Sequence, residues 1–311
     1  MIHETPTDKP IKIFLAVVLS QALFSIMNAF VKLALGTHPI IQVMFFRSAI
    51  ALIAISLLIL HEERKAGVKP FTLFKTANPM AHFWRSSTGV AAMLCYFTAF
   101  ATLPLANVTA IGFAAPLILT LLSIPMLGEK VGIHRLGAVA VGLGSVIFIF
   151  APEIEADRAN LWGNMAALGA AVLTAFSLAL IRKMGRTENH LTIVFYFTLA
   201  CTLVSAIALP FFWVLPSAQS LFFLLMVGLC GGSAQIFITW SYAHAPAAYA
   251  SAFFYTAIIF ATTLDWYVWG HVIDPATALG SVIIVASGLY VLYREARKKR
   301  APLLVEPPVQ D

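Results

Sequence analysis

Charge is what this chain lacks most. Only 11% of its 311 residues are Asp, Glu, Lys or Arg, against roughly 25% in soluble domains. Because 60% are apolar, a soluble globular fold is excluded. Cysteine is scarce too: Cys95, Cys201 and Cys230 stand singly, in no disulfide framework and no metal-ligand spacing. They read as apolar filler. P-loop, H-E-x-x-H and G-x-S-x-G motifs are absent. The chain therefore lacks the residues for direct ATP drive and for those enzyme chemistries. It is expected not to be an enzyme, and no cofactor is implied. No short connection resembles a channel filter, and no run of alternating polarity suggests a β-barrel.

What the chain has in abundance is long apolar runs. Ten are legible, at roughly 13–35, 39–60, 80–102, 106–127, 133–151, 161–182, 190–214, 218–241, 247–269 and 275–293. Each is long enough to cross a hydrocarbon core of about 30 Å as a helix. The first is too long for a signal-peptide core, and further spans follow it. Only "HEERKAGVKPFTLFKTANP", residues 61–79, makes a sizeable connection. The expected fold class is an all-α membrane protein with ten transmembrane helices.

The few charges report orientation. With the N-terminus inside, 17 of the 20 Lys and Arg residues fall on the inner side, Arg85 among them. Arg158 falls outside, and Lys32 and Arg47 fall within spans. The expectation is a multi-pass protein of the cell (inner) membrane with both termini cytoplasmic, residues 294–311 forming a basic cytoplasmic tail. The pI near 9.3 then reflects topology and contact with membrane lipid, not nucleic acid.

Matched segments divide the chain in two. "HPIIQVMFFRSAIALI" at 38–53 resembles "HLTIVFYFTLACTLVS" at 190–205, an offset of 152. "LPLANVTAIGFAAP" at 103–116 resembles "APAAYASAFFYTAI" at 245–258, an offset of 142. The ten-residue change matches the long connection at 61–79, which the second half lacks. Five spans per half force the halves into opposite orientations, giving two five-helix inverted-topology repeats, 12–151 and 161–293.

The stretch "FWRSSTGVAAMLCYFTAFATLPLANVTAIGFAAPLILTLLSIPMLGEKVG" carries a further likeness, with "LGAVAVGLG", "FFYTAIIFATTLDWYVWG" and "GSVIIVASGLYVLYRE". In this order the set resembles the drug/metabolite transporter superfamily, EamA type, over about residues 12 to 296. The resemblance implies a secondary transporter for a small polar organic metabolite, in the amino acid, nucleotide-like or vitamin classes. One departure is His271 in the second half where the first has Glu129, so that exit is not a shared coupling site. A lipid scramblase or a non-transporting membrane receptor remains compatible with the composition.

Candidate pathway residues come from the first span. In "SQALFSIMNAFVKLALG", Gln21, Ser25, Asn28 and Lys32 fall within roughly 60° of one another on a helix. Against lipid such a stripe is costly, so it should face helices or water. One use is a substrate pathway; the plainer one is a packing face with a snorkelling Lys32. Tyr96, Asn107, Gln235, Trp240 and Tyr255 are further pathway candidates, each also readable as packing. Arg47 lies about 12 Å into its span, where it serves a cavity or pairs internally. Lys32 and Asp265 lie at matching depth near the outer mouth and carry opposite charge. They are candidates for a gate, or independent snorkelling side chains. Pro116 is expected to open the fourth span locally. Gly228 and Gly232 suit close helix packing or a homodimer.

Overall fold

The computed structural model describes residues 10–128, 131–154, 158–185, 187–244 and 253–300. Among them the chain is helical, with no strand. Its helices are α1 (Pro10–Leu35), α2 (Ile40–Ala66), α3 (Pro79–Thr102), α4 (Leu105–Gly112), α5 (Ala114–Leu127) and α6 (Ile133–Ile154). Then come α7 (Arg158–Met184), α8 (His190–Ala208), α9 (Ala218–His244), α10 (Ala257–Trp269) and α11 (Pro275–Arg300). Among the described residues six segments are long and apolar enough to cross a membrane: 14–35, 40–66, 105–127, 161–184, 190–211 and 218–238. Large apolar side chains such as Leu57, Ile207, Trp266 and Tyr267 lie exposed on the outside of the bundle, as lipid contact requires. The protein is an integral, multi-pass membrane protein.

Local chemistry sets several helix ends. Asn78 caps α3 by accepting the Ala81 N–H at 3.1 Å, with Pro79 in the first turn. Asn189 caps α8 through the Leu191 N–H at 2.8 Å. Helices α5 and α10 end on Gly128 and Gly270 at φ 69° and 68°, left-handed conformations that glycine adopts without strain.

One span outruns the sequence expectation, and another breaks as Pro116 led it to be expected. Helix α2 runs to Ala66, past the expected end near 60. There Glu63 turns inward at 1% exposure. It accepts the N–H groups of Phe71 at 2.9 Å and Leu73 at 2.7 Å, folding the remaining connection back on the bundle. The fourth span is not one helix but α4 and α5, broken at Phe113. Pro116 has no N–H for the Gly112 carbonyl, and its ring crowds that carbonyl, so the ladder opens one turn before the proline. In the second half a 3₁₀ turn, Phe253–Thr256, precedes α10.

Helix α1 packs along α9 and α3 along α7, while α6 runs against α11. Helix α2 sits between α8 and α9. Close approach rests on small residues: a Cβ at Gly228 would meet Ile50, and one at Gly232 would meet Ala51 at 3.4 Å. Those two glycines thus serve the α2–α9 contact inside one chain, and the homodimer expected from them loses that support.

Candidate functional site: a clasped turn above a polar interior

The stripe on α1 faces the protein, as its cost in lipid demands. Gln21 and Ser25 are buried at 4% exposure each, and Asn28 and Lys32 are half-buried. Gln21 donates to Ser20 Oγ at 3.3 Å. Phe30, turned away from the stripe, packs on Phe222 and Phe223 of α9 at 5.8 and 5.9 Å.

Lys32 does not snorkel. Its Nζ donates to the Leu103 carbonyl at 2.7 Å and lies 4.9 Å above the Trp269 ring. Leu103 opens the "LPLA" turn joining α3 to α4. The far side of that turn is held by Asp265 of α10, whose Oδ2 accepts the Ala106 N–H at 2.7 Å. Asp265 is buried at 2% exposure, and its Oδ1 has no hydrogen-bond partner among the described residues. Helices α1 and α10 are neighbours, which sequence could not establish. The two charges are joined by the backbone they grip, not by the direct pair that their matching depth suggested. Behind the turn, α7 presents Gly163, where any Cβ would strike Thr102 and Leu103.

The other candidates spread along the interior. Tyr96 stacks on Phe100 at 6.1 Å, with its hydroxyl at Gly112 and hydrogen-bonded to Thr174. Asn107 is buried on α4 at 4% exposure, and both it and Gln235 are engaged with other groups. Tyr255 is buried and meets Phe113 edge-on at 5.1 Å, so the 3₁₀ turn before α10 touches the break between α4 and α5. The side chain of Trp240 and the whole of Glu129 lie outside the described residues. Among the described residues Arg47 finds no acidic partner: its Nη1 points to Met93 Sδ at 3.9 Å.

Sequence reasoning counted Arg85 as a flanking charge. In the structure it is buried at 8% exposure, its guanidinium 4.2 Å from the Phe197 ring centroid. The signal was the Arg-x-x-x-Gly spacing: without a side chain at Gly89, one turn on, the guanidinium folds against the α3 backbone.

The opposite end of the bundle carries a cluster that the sequence did not announce. Glu188, in the turn between α7 and α8, accepts the Thr76 hydroxyl at 2.7 Å and the Ala77 and Asn78 N–H groups at 3.1 and 3.2 Å. His82 Nε2 lies 3.7 Å away. Desolvation pushes the carboxyl up, but the Thr76 hydroxyl, the two N–H groups and His82 together outweigh it, leaving it below its ordinary 4.5. A depressed carboxyl stabilises above the ordinary value and loses that contribution as pH falls through the folded one. Hydrogen exchange at Ala77 and Asn78, corrected for intrinsic rate, should therefore stay slow above pH 4.5 and speed up below it. Glu188→Gln should exchange rapidly at both. Equal protection in the variant would remove Glu188 as the clasp.

A multi-pass helical bundle with charged and polar side chains turned inward is an architecture that membrane transport proteins use. The chain belongs to the EamA-like transporter family, whose model matches residues 11–151 and again 161–293. It is 32% identical over 279 residues to the pseudopaline exporter CntI of Pseudomonas aeruginosa, covering 88% of this chain and 93% of that one. The S-adenosylmethionine uptake transporter of Rickettsia prowazekii is 22% identical over 91% of this chain and 92% of its own. The riboflavin transporter of Rhizobium johnstonii is 24% identical over 73% and 75%. A solved structure with 19% identity superposes on 94% of this chain and 99% of its own at a TM-score of 0.63, a shared fold.

Proposed function

We propose that the chain is a ten-span secondary transporter of a small polar organic metabolite, working by alternating access between five-helix halves of opposite orientation. The observation that carries this is the pairing of helix contacts. If α1, α2, α3, α4–α5 and α6 correspond to α7, α8, α9, α10 with its preceding turn, and α11, the packing has a twofold pattern. The α3–α7 contact answers α1–α9, α5–α7 answers α1–α10, and α3–α8 answers α2–α9, while α2–α8 and α6–α11 answer themselves. The first half's fourth span breaks at Phe113, the described part of the second half's opens on a 3₁₀ turn, and both end on a left-handed glycine. Two similar halves can exchange conformations around a central site. With cytoplasmic termini, which the distribution of basic residues favours, the Lys32 clasp is closed on the outer side. Relatives named for pseudopaline, S-adenosylmethionine and riboflavin support a metabolite as cargo.

Within the pathway, Asn28 is the group free to meet a substrate. It is half-buried, between the engaged Gln21 and Lys32, and makes no hydrogen bond with the described residues. The test is uptake from a metabolite mixture by purified protein in sealed vesicles, beside a fluorescent-lipid flip assay. Accumulation of a water-soluble metabolite supports the transporter; lipid flipping without it would show a scramblase, and binding without either a receptor. Asn28→Ala should lower transport about threefold to tenfold, the worth of one hydrogen bond, with unchanged protein in the membrane. A fall in abundance alone would make the stripe structural.

A further inference from the structure

Resting on the transporter reading and extending it to substrate class, we infer that Arg47 and Arg85 form an anion-binding site inside the bundle, for a substrate that carries a carboxylate. Helices α2 and α3 run antiparallel, and the two arginines enter the interior from opposite ends. Arg47 lies seven residues from the start of α2 and Arg85 six from the start of α3, each about 10 Å in by helix rise. Their side chains come within electrostatic range of one another and of Cys201 on α8.

No carboxylate among the described residues neutralises them, since no Asp or Glu there acts on either guanidinium. Asp265 is committed to Ala106, Glu63 to the 71–73 backbone and Glu188 to the 76–78 backbone. Arg85 is more than nine-tenths buried, and its Nε and Nη1 have no hydrogen-bond partner. Its one face is covered by Phe197, and Arg47 is offered only the sulfur of Met93. Two like charges held near one another, Arg85 buried with donors unspent and Arg47 partly buried, are unfavourable until a counter-charge arrives.

The chemistry selects that counter-charge. A guanidinium presents paired donors that fit a carboxylate or phosphate oxygen pair. The neighbouring groups include Met93, Phe197 and Cys201, with the buried Ser48 hydroxyl beside Cys201, which supply few further donors. With few donors beyond the two guanidinium forks, the two oxygens of a carboxylate can be satisfied where the further oxygens of a phosphate would be left without donors. The site adjoins α1: Met27, next to Asn28 in sequence, and the stem of Arg47 both crowd the position of Gly231 on α9. A substrate could therefore place its carboxylate on the arginines and a polar group on Asn28.

The experiment is thermal unfolding of the full chain in lipid nanodiscs, at constant ionic strength, with succinate, glutamate and citrate, their amides, and inorganic phosphate. Carboxylates should raise the midpoint saturably, and the amides should not. Arg47→Gln and Arg85→Gln should each weaken that response about tenfold or more, while leaving the ligand-free midpoint unchanged or higher, because like-charge repulsion is relieved. A structural arginine would instead lower the ligand-free midpoint. Absence of any anion response, or a response that survives both substitutions, overturns the site. A response to phosphate alone overturns the carboxylate assignment. If either Gln variant fails to fold, that is itself the structural outcome, and Arg85→Lys then reports whether charge alone suffices. Vesicle transport of a substrate without an acidic group, retained in both variants, would remove the anion site and leave the transporter standing.

Discussion

Lys32→Gln and Asp265→Asn should each lower transport about tenfold or more, and the double variant should be no worse than the poorer single. Each side chain makes a charge-assisted hydrogen bond to one four-residue turn, Lys32 to Leu103 and Asp265 to Ala106. Such bonds are worth about 1.5–3 kcal/mol. If the turn releases as a unit when the outer side opens, breaking one grip already frees it, and breaking the second adds little. That non-additivity is what a double-mutant cycle measures. The charge-swapped double variant separates this clasp from a direct ion pair. In the clasp, Asp at 32 would face a carbonyl oxygen and Lys at 265 an N–H, so the swap should not rescue. Additive single effects would mean that the residues do not communicate. Rescue by the swap would restore the direct pair and discard the turn as intermediary.

Much of this was legible before any coordinates. Apolar runs of spanning length mark helices because a backbone in lipid must satisfy its own hydrogen bonds, and the α1 stripe follows from a period of 3.6 residues. Pro116 announced a break because its missing N–H acts at a fixed distance along the chain. The equal depth of Lys32 and Asp265 was also readable.

What lay hidden depends on contacts far apart in sequence. Leu103 and Ala106 come between the two charges only because α1, α3 and α10 converge, and no local pattern encodes that meeting. Arg85 looked like an ordinary flanking charge, since only the arrival of Phe197 on α8 and the bare backbone at Gly89 make it an interior residue. Glu188 and Thr76 are 112 residues apart, and neither lies in a motif. The extension of α2 to Ala66 was missed for a related reason. "HEERKA" reads as a polar loop until Glu63 is given two backbone N–H groups to hold.

Gly142→Val should severely lower the stability and abundance of the folded protein, while Gly144→Ala, two residues along α6, should be tolerated. In lipid, helices associate through close packing rather than through escape from water, so small residues set how near they come. A Cβ at Gly142 would lie 2.5 Å from Leu117 Cδ1 and 2.9 Å from Ser287 Cβ of α11. Across the same seam a Cβ at Gly280 would lie 2.6 Å from Ile149 Cγ1, and Ser145 Oγ donates to the Gly142 carbonyl at 2.7 Å and to that of Gly280 at 3.4 Å. Even one methyl at 142 must displace a helix or a side chain, and overpacking of this kind costs about 1–3 kcal/mol. Valine adds two further carbons to the same crowded space. Gly144 meets nothing within 4 Å, so alanine there adds no clash and gains up to about 1 kcal/mol of helix propensity. Unfolding midpoints of the two variants in nanodiscs decide the matter. Equal behaviour at 142 and 144 would show that α6 and α11 do not meet along this face, and the self-matched contact at the seam of the two halves would go with it.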